Sequence, residues 1–491
     1  MYRSFGPLAA TIGACVLLDV TPAPFAGASP WSAAQIASLD ARLDRALRAP
    51  ALRGAHVGLL AVDAQRGIEL YAHDPSGEFA PASAFKLLVG SAALRYLGAS
   101  FTFETTVSTD TAIAGATLPG NLYLHGGGDA HLTASDLRSA AAALFAAGLR
   151  RVDGALITDA SHDDAQRYAP GWSWDDLPYG YAAAVSALEL EDGTVHVYVT
   201  PGAAAGAAPA LRIQPQSDAF VIENLVTTGS TGSDDTTDVT RPWDLPLTIR
   251  VVGSYPAGAP ESDDLAPSVP DPERYAGDVL LRALRAVGIS VAGGVRSAVT
   301  PVKRSTLWRH DSVVMPELLS EFWLPSDNLM GELFLKELGV SHAGEPGTYA
   351  SGIALEEEYL RSLGIDPASV AIADGSGLSI YDRITPRDLV TILRSDWNGP
   401  ARASVLAALP LAGVRGTLKS EFAESALDGK LYAKTGSMRH TRALCGYIDA
   451  AAHGPVAFSL LVNGWLGDDD PGGAGALARA EADLLSAFLS N

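Results

Sequence analysis

The segment Pro81-Ala82-Ser83-Ala84-Phe85-Lys86 runs directly into Leu87, Leu88, Val89, Ala92, Ala93, Leu94, Tyr96 and Leu97. A run apolar on most faces predicts a buried helix rather than an amphipathic one. Gly98 is a natural stop. At the head of this helix stand a serine and a lysine at i and i+3, on one face. Burying a lysine is costly unless it is partnered. A desolvated lysine loses its proton near neutral pH, and the free amine can take a proton from a serine hydroxyl. Ser83 and Lys86 therefore read either as a nucleophile with its activating amine or as coincidental neighbours. Among Lys86, Lys303, Lys336, Lys419, Lys430 and Lys434, only Lys86 has a serine at that offset.

Two further clusters bear on the choice. In Pro325-Ser326-Asp327-Asn328-Leu329-Met330, Ser326 can pass a proton and Asn328 offers an amide that both donates and accepts. The same residues also suit a helix start, with Ser326 or Asp327 capping a helix over 328–339, and both readings can hold. In Tyr432-Ala433-Lys434-Thr435-Gly436-Ser437, Lys434, Thr435 and Ser437 supply a positive charge and hydroxyls suited to a carboxylate. Gly436 removes a side chain, so that a substrate backbone can lie against the strand. Taken alone, this third cluster also fits a solvated strand end.

Serine-x-x-lysine, serine-x-asparagine and lysine-threonine-glycine in that order resemble the motif set of the penicillin-recognising serine enzymes. Within them the chain resembles the D-alanyl-D-alanine carboxypeptidase/endopeptidase group, penicillin-binding protein 4-like. The resemblance extends over nearly the whole chain. It includes Gly126-Gly127-Gly128-Asp129, Trp172-Ser173-Trp174-Asp175-Asp176, Asp374-Gly375-Ser376-Gly377-Leu378-Ser379 and Gly413-Val414-Arg415-Gly416-Thr417-Leu418. It implies an α+β, multi-domain protein with a β-lactamase/transpeptidase-like catalytic domain, an antiparallel sheet with helices on both faces, interrupted by a long mixed α/β and β-rich insert.

The resemblance also implies roles. Ser83 would be acylated, and Lys86 or Lys434 would act as base. Ser326 would relay the proton and Asn328 bind the substrate amide. Lys434, Thr435 and Ser437 would hold the terminal carboxylate, Gly436 would line the substrate-binding strand, and the N–H groups of Ser83 and Ser437 would hold the oxyanion. Phe85 stands where the group more often has a polar residue, a departure expected at the pocket wall.

A chain of 491 residues exceeds one ordinary core, so several domains are expected. The expected organisation is a signal peptide at 1–28, a catalytic domain from 29–98 and 301–491, an α/β insert from 99–184 and 256–300, and a β-rich insert over 185–255. Within the catalytic part, strands are expected at 57–62, 67–72, 430–434, 442–448 and 456–462. Helices are expected at 31–52, 347–364, 385–397 and 475–489, the third begun by Thr385 and Pro386.

Arg3, the apolar run 5–20 and Ala26-Gly27-Ala28 form an export signal. Ile12-Gly13-Ala14-Cys15 offers a competing lipoprotein reading. The expected location is periplasmic or otherwise extracytoplasmic, with no transmembrane anchor in the mature chain. Only Cys15 and Cys445 occur, so a structural disulfide is not expected and Cys445 reads as a small core residue. A net charge of −21 argues against nucleic acid as a partner.

No cofactor or metal is expected, since His125 with Asp129, and His162 with Asp163 and Asp164, lack a defined ligand spacing. Ser376 lacks the surroundings of a nucleophile elbow and reads as a structural turn. The resemblance implies peptidoglycan stem peptides as substrate and β-lactams as inhibitors. It leaves a β-lactamase, or a non-catalytic penicillin- or wall-binding module, as alternatives.

Overall fold

The structure is a computed structural model that describes residues 29–467 and 473–489. The expected export signal at 1–28, with Cys15, lies outside these residues. The chain forms two compact units. One comprises Phe103–Tyr168 and Trp172–Ser312. The other comprises 29–102, Ala169–Gly171 and the chain from Val313 onward.

The second unit is built on a five-stranded sheet. Its strands run in the order Leu431–Met438, Thr441–Asp449, Pro455–Asn463, His56–Asp63 and Glu69–His73. Every neighbouring pair is antiparallel. The first and last parts of the chain thus share one sheet, with Val57 opposite Val462.

Alternation along the strands sorts the two faces. Leu59, Ala61, Leu431, Ala433, Leu444, Phe458 and Leu460 form one side. They are buried with Leu39 and Leu43 of the helix Ala33–Ala46 and with Leu477, Leu484 and Leu485 of the helix Gly473–Ser486. On the other side, Tyr447 donates from its hydroxyl to the Leu393 carbonyl at 2.6 Å, and its ring lies 5.2 Å from that of Trp397. Both partners belong to the helix Pro386–Asn398. Lys434 faces this second side, paired across the ladder with Cys445.

The local signals explain most boundaries. Ser32 and Gln35 form a reciprocal capping box ahead of Ala33–Ala46. Thr385 caps Pro386–Asn398, with proline at the first helical position. The third motif differs from expectation. Its strand does not end at Lys434 but continues to Met438, because Gly436 and Ser437 still pair with Ala443 and Arg442. The serine segment also differs. A 3₁₀ turn, Ala82–Phe85, precedes the α-helix Lys86–Tyr96, so the pair straddles a junction.

The other unit carries a mixed sheet in the order Val295–Ser297, Leu156–Asp159, Leu122–Gly126, Glu104–Thr109 and Ser305–Asp311. Its first three strands are parallel and its last two pairings antiparallel. Through the last pairing, residues 305–311 go with the inserted unit. The helices Ala134–Ala146 and Pro272–Ala286 bury Leu137, Leu144, Leu280 and Leu284 in one apolar cluster with Leu124 and Leu156. Small two- and three-stranded sheets fill 196–256, and Val197, Ile249 and Val251 join the same cluster.

Candidate active site

Ser83 sits in a turn whose backbone is fixed on two sides. Ala82 before it is buried at φ +46°, a left-handed conformation uncommon for a residue with a Cβ. Its carbonyl lies against Gly377, at φ +77°, where an added Cβ would come within 2.0 Å of that oxygen. On the sheet side, a Cβ on Gly436 would meet the Pro81 carbonyl at 2.6 Å and the Ala84 nitrogen at 3.0 Å. The missing side chain at Gly436 therefore lets the serine turn seat on the strand. This differs from the expected clearance for a substrate backbone. Phe85 is 1% exposed and its Cβ faces Gly377, so it is a core residue holding the turn and not a pocket wall.

Lys86 is fully buried. Its Nζ lies 2.9 Å from Ser83 Oγ, 2.5 Å from Asn328 Oδ1 and 2.6 Å from the Ser376 carbonyl oxygen. A neutral amine has two hydrogens and one lone pair. Two acceptors that cannot donate, the Asn328 amide oxygen and the Ser376 carbonyl, claim the hydrogens. The lone pair is then directed at the Ser83 hydroxyl. Trp323 Nε1 donates to the Lys86 carbonyl at 3.1 Å and fixes the start of the helix.

The second motif divides its tasks. Asp327 caps the helix Asn328–Ala343, accepting from Met330 N at 3.1 Å. Ser326 is thus left out of capping. It lies at φ +67°, and its Oγ accepts from Lys434 Nζ at 2.8 Å. Lys434 also donates to the Thr435 carbonyl at 2.9 Å. Thr435 Oγ1 shares a hydrogen bond of 2.7 Å with Thr417 Oγ1. Ser437 is exposed at the end of this row.

Both amines are shifted toward their neutral forms. Burial lowers Lys86 to about 8, against the opposing pull of Asp374, Asp327, Glu332 and Asp382. Burial and the neighbouring Lys86 push Lys434 well below its ordinary value. Behind Lys86, burial and then the Asp374 charge raise Glu332 to about 8.

The structure thus brings together Ser83, Lys86, Asn328, Ser326, Lys434 and Thr435. Three contributors escaped the sequence reading. The Ser376 carbonyl holds Lys86 through backbone that side-chain patterns do not show. Its turn is organised by Asp374, which accepts from Ser376 N, Gly377 N and Ser379 N at 3.2, 2.6 and 2.7 Å. Glu332 accepts from Gly375 N at 3.2 Å, and its place one turn after Asn328 was the available signal. Thr417 lies in a glycine-flanked tract already singled out. In the inserted unit, Asp129 lies 3.4 Å from His310 Nε2, and the rings of His125 and His162 meet edge-on at 6.4 Å.

A helix-flanked antiparallel sheet and this motif set define the class: a serine peptidase of the penicillin-recognising kind. The profile of the D-Ala-D-Ala carboxypeptidase 3 (S13) family matches residues 39–484. The chain belongs to that family. It is 35% identical over 472 residues to a D-alanyl-D-alanine carboxypeptidase of Actinomadura sp. (strain R39), covering 92% of this chain and 87% of the relative. The crystal structure of penicillin binding protein 4 from Haemophilus influenzae superposes with a TM-score of 0.82 at 24% identity, over 91% of this chain and 99% of that one. A second structure of that protein, in complex with a β-lactam, matches with a TM-score of 0.76 at 22% identity, over 92% and 100% of the two chains.

Proposed function

We propose that the protein is a serine D,D-peptidase that removes the terminal D-alanine of peptidoglycan stem peptides and opens D-alanyl crosslinks by the same chemistry. The contact between Lys86 Nζ and Ser83 Oγ at 2.9 Å carries this reading, with the amine's other two contacts both to acceptors. Ser83 Oγ attacks the carbonyl carbon of the penultimate D-alanine, and its proton passes to Lys86. The oxyanion rests on the N–H groups of Ser83 and Ser437, a contribution of roughly 3 kcal/mol per donor. The C–N bond breaks as Ser326, supported by Lys434, relays a proton to the departing amine. Water then attacks the Ser83 ester and releases the shortened peptide.

Asn328 orients the substrate amide, while Thr435 and Ser437 receive the terminal carboxylate. The β-lactam complex of the Haemophilus relative supports β-lactams as inhibitors that acylate Ser83. Peptidoglycan as substrate and the signal-like start of the sequence support an extracytoplasmic location. Among the described residues, no helix is long and apolar enough to cross a membrane.

A fluorescent penicillin should label the protein covalently, and Ser83→Ala should abolish both the labelling and D-alanine release from a pentapeptide. Labelling of Ser83→Ala, or an unlabelled wild type, contradicts the reading. The products released from purified crosslinked peptidoglycan report the balance of the two activities.

A further inference from the structure

Arg442 stands directly across the ladder from Ser437. Its Nη1 donates to Ser437 Oγ at 3.1 Å. Two other segments hold the guanidinium. Its Nε donates to Glu481 Oε1 at 3.2 Å on the helix Gly473–Ser486, and its Nη2 pairs with Glu421. Glu481 is 1% exposed, so this clamp belongs to the packed interior and is not a surface ion pair.

A guanidinium has donors and no acceptor. Ser437 Oγ must therefore accept from Arg442, and its own proton is directed elsewhere. The exposed side of the strand end is where that proton can find an acceptor. Lys434 does not take this role, since its Nζ is engaged by Ser326 Oγ and the Thr435 carbonyl. Its low proton affinity in this buried position further weakens it as a cation for the substrate.

We propose that Arg442 is a positioning residue that fixes Ser437 as a hydrogen-bond donor to the substrate's terminal carboxylate, and so selects for a free carboxylate over a neutral carboxamide. The proposal rests on the D,D-peptidase reading above. Glu421 and Glu481 take up the charge of Arg442, so its influence is exerted through the direction of one proton. Accepting from Arg442 takes up one of the two Ser437 Oγ lone pairs and leaves its proton to be donated, whereas an unconstrained serine offers its proton and both lone pairs. It would then accept a carboxamide N–H as readily as it donates to a carboxylate.

The test compares an acylated D-Ala-D-Ala peptide with its C-terminal carboxamide. Wild type should prefer the carboxylate in kcat/KM. Arg442→Gln should raise KM for the carboxylate about tenfold, as expected for one charge-assisted hydrogen bond, with kcat within about twofold and the carboxamide unaffected. Arg442→Lys, which keeps a donor, should recover part of the loss. Ser437→Ala and Ser437→Ala/Arg442→Gln should lose the same amount, because the arginine acts through the serine.

Equal losses on both substrates, or additive losses in the double variant, would overturn the proposal. Arg442→Gln leaves Glu481 buried without its cation, so Arg442→Gln/Glu481→Gln is measured alongside, with thermal unfolding as a check on folding. Wild-type selectivity in that folded double variant would also overturn it. A wild type that neither hydrolyses the peptide nor is acylated by penicillin contradicts the peptidase reading itself, a result distinct from a loss of selectivity.

Discussion

Acylation should depend on pH through Lys86. The amine is buried between Ser83 Oγ, Asn328 Oδ1 and the Ser376 carbonyl, and burial brings it from an ordinary 10.5 down to about 8. Only the free amine can accept the serine proton. At pH 7 about one-tenth of the molecules carry it, and at pH 9 about nine-tenths. The second-order rate of acylation by a fluorescent penicillin should therefore rise nearly tenfold from pH 7 to pH 9. Below pH 7 it should fall by about one decade per unit.

Asp374 stabilises the charged amine more than any other acid near it. Asp374→Asn should accordingly move the midpoint to lower pH, even if the disturbed turn lowers the plateau. Stopped-flow acylation under pseudo-first-order conditions, with folding verified at each pH, measures both quantities. A flat profile from pH 6 to 9, or a rate that falls as pH rises, would refute the assignment of Lys86 as base. A plateau already reached at pH 6 would point instead to Lys434, whose proton affinity is lowered well below the ordinary value.

Gly377→Ala should cost at least about 2 kcal/mol, since its Cβ would press to 2.0 Å from the Ala82 carbonyl at a positive φ. Differential scanning calorimetry should show a lower Tm, and penicillin acylation should slow in parallel. Glu332 is raised to about 8 in the folded protein, from an ordinary 4.5. Its stabilising contribution is complete below pH 4.5 and is lost as pH rises through 8, so Glu332→Gln should gain in relative Tm from pH 5 to 8. A constant Tm difference across that range contradicts the shift. Cys445 is buried and pushed up to about 12, so a thiol reagent should modify it only as the protein unfolds, which absorbance of the released chromophore records.

How much of this was legible in the sequence varied with the kind of contact. The apolar run after Lys86, the Thr385-Pro386 start and the alternating strands are local signals, and they led to the sheet and its helices. The three motifs were visible because their serines, lysines and asparagine occur at fixed short spacings. What the sequence hid is set by distant backbone. Nothing local shows that the Ser376 carbonyl meets Lys86, or that Gly436 faces the Pro81 carbonyl. The extension of the Lys434 strand through Ser437 was hidden because its continuation is enforced by pairing with Thr441–Asp449, not by the propensity of Gly436. Arg442 was read only as part of a strand-like run, since its importance lies in which residue stands across from it.

The amide of Asn463 clasps the backbone just before the serine turn, accepting from Ala80 N at 2.8 Å and donating to the Ala80 carbonyl at 3.0 Å. Asn463 closes the strand that also pairs with His56–Asp63 along its full length. The support of the serine turn therefore lies 383 residues along the chain from Ala80, and contacts of such sequence separation form late because loop closure must come first. A nascent or truncated chain ending before 455 holds Ser83 and Lys86 but not the central strand that seats them. Assembly order should thus act as a safety catch: a fragment that lacks this strand should take up no fluorescent penicillin at Ser83, and a labelled fragment would contradict that expectation.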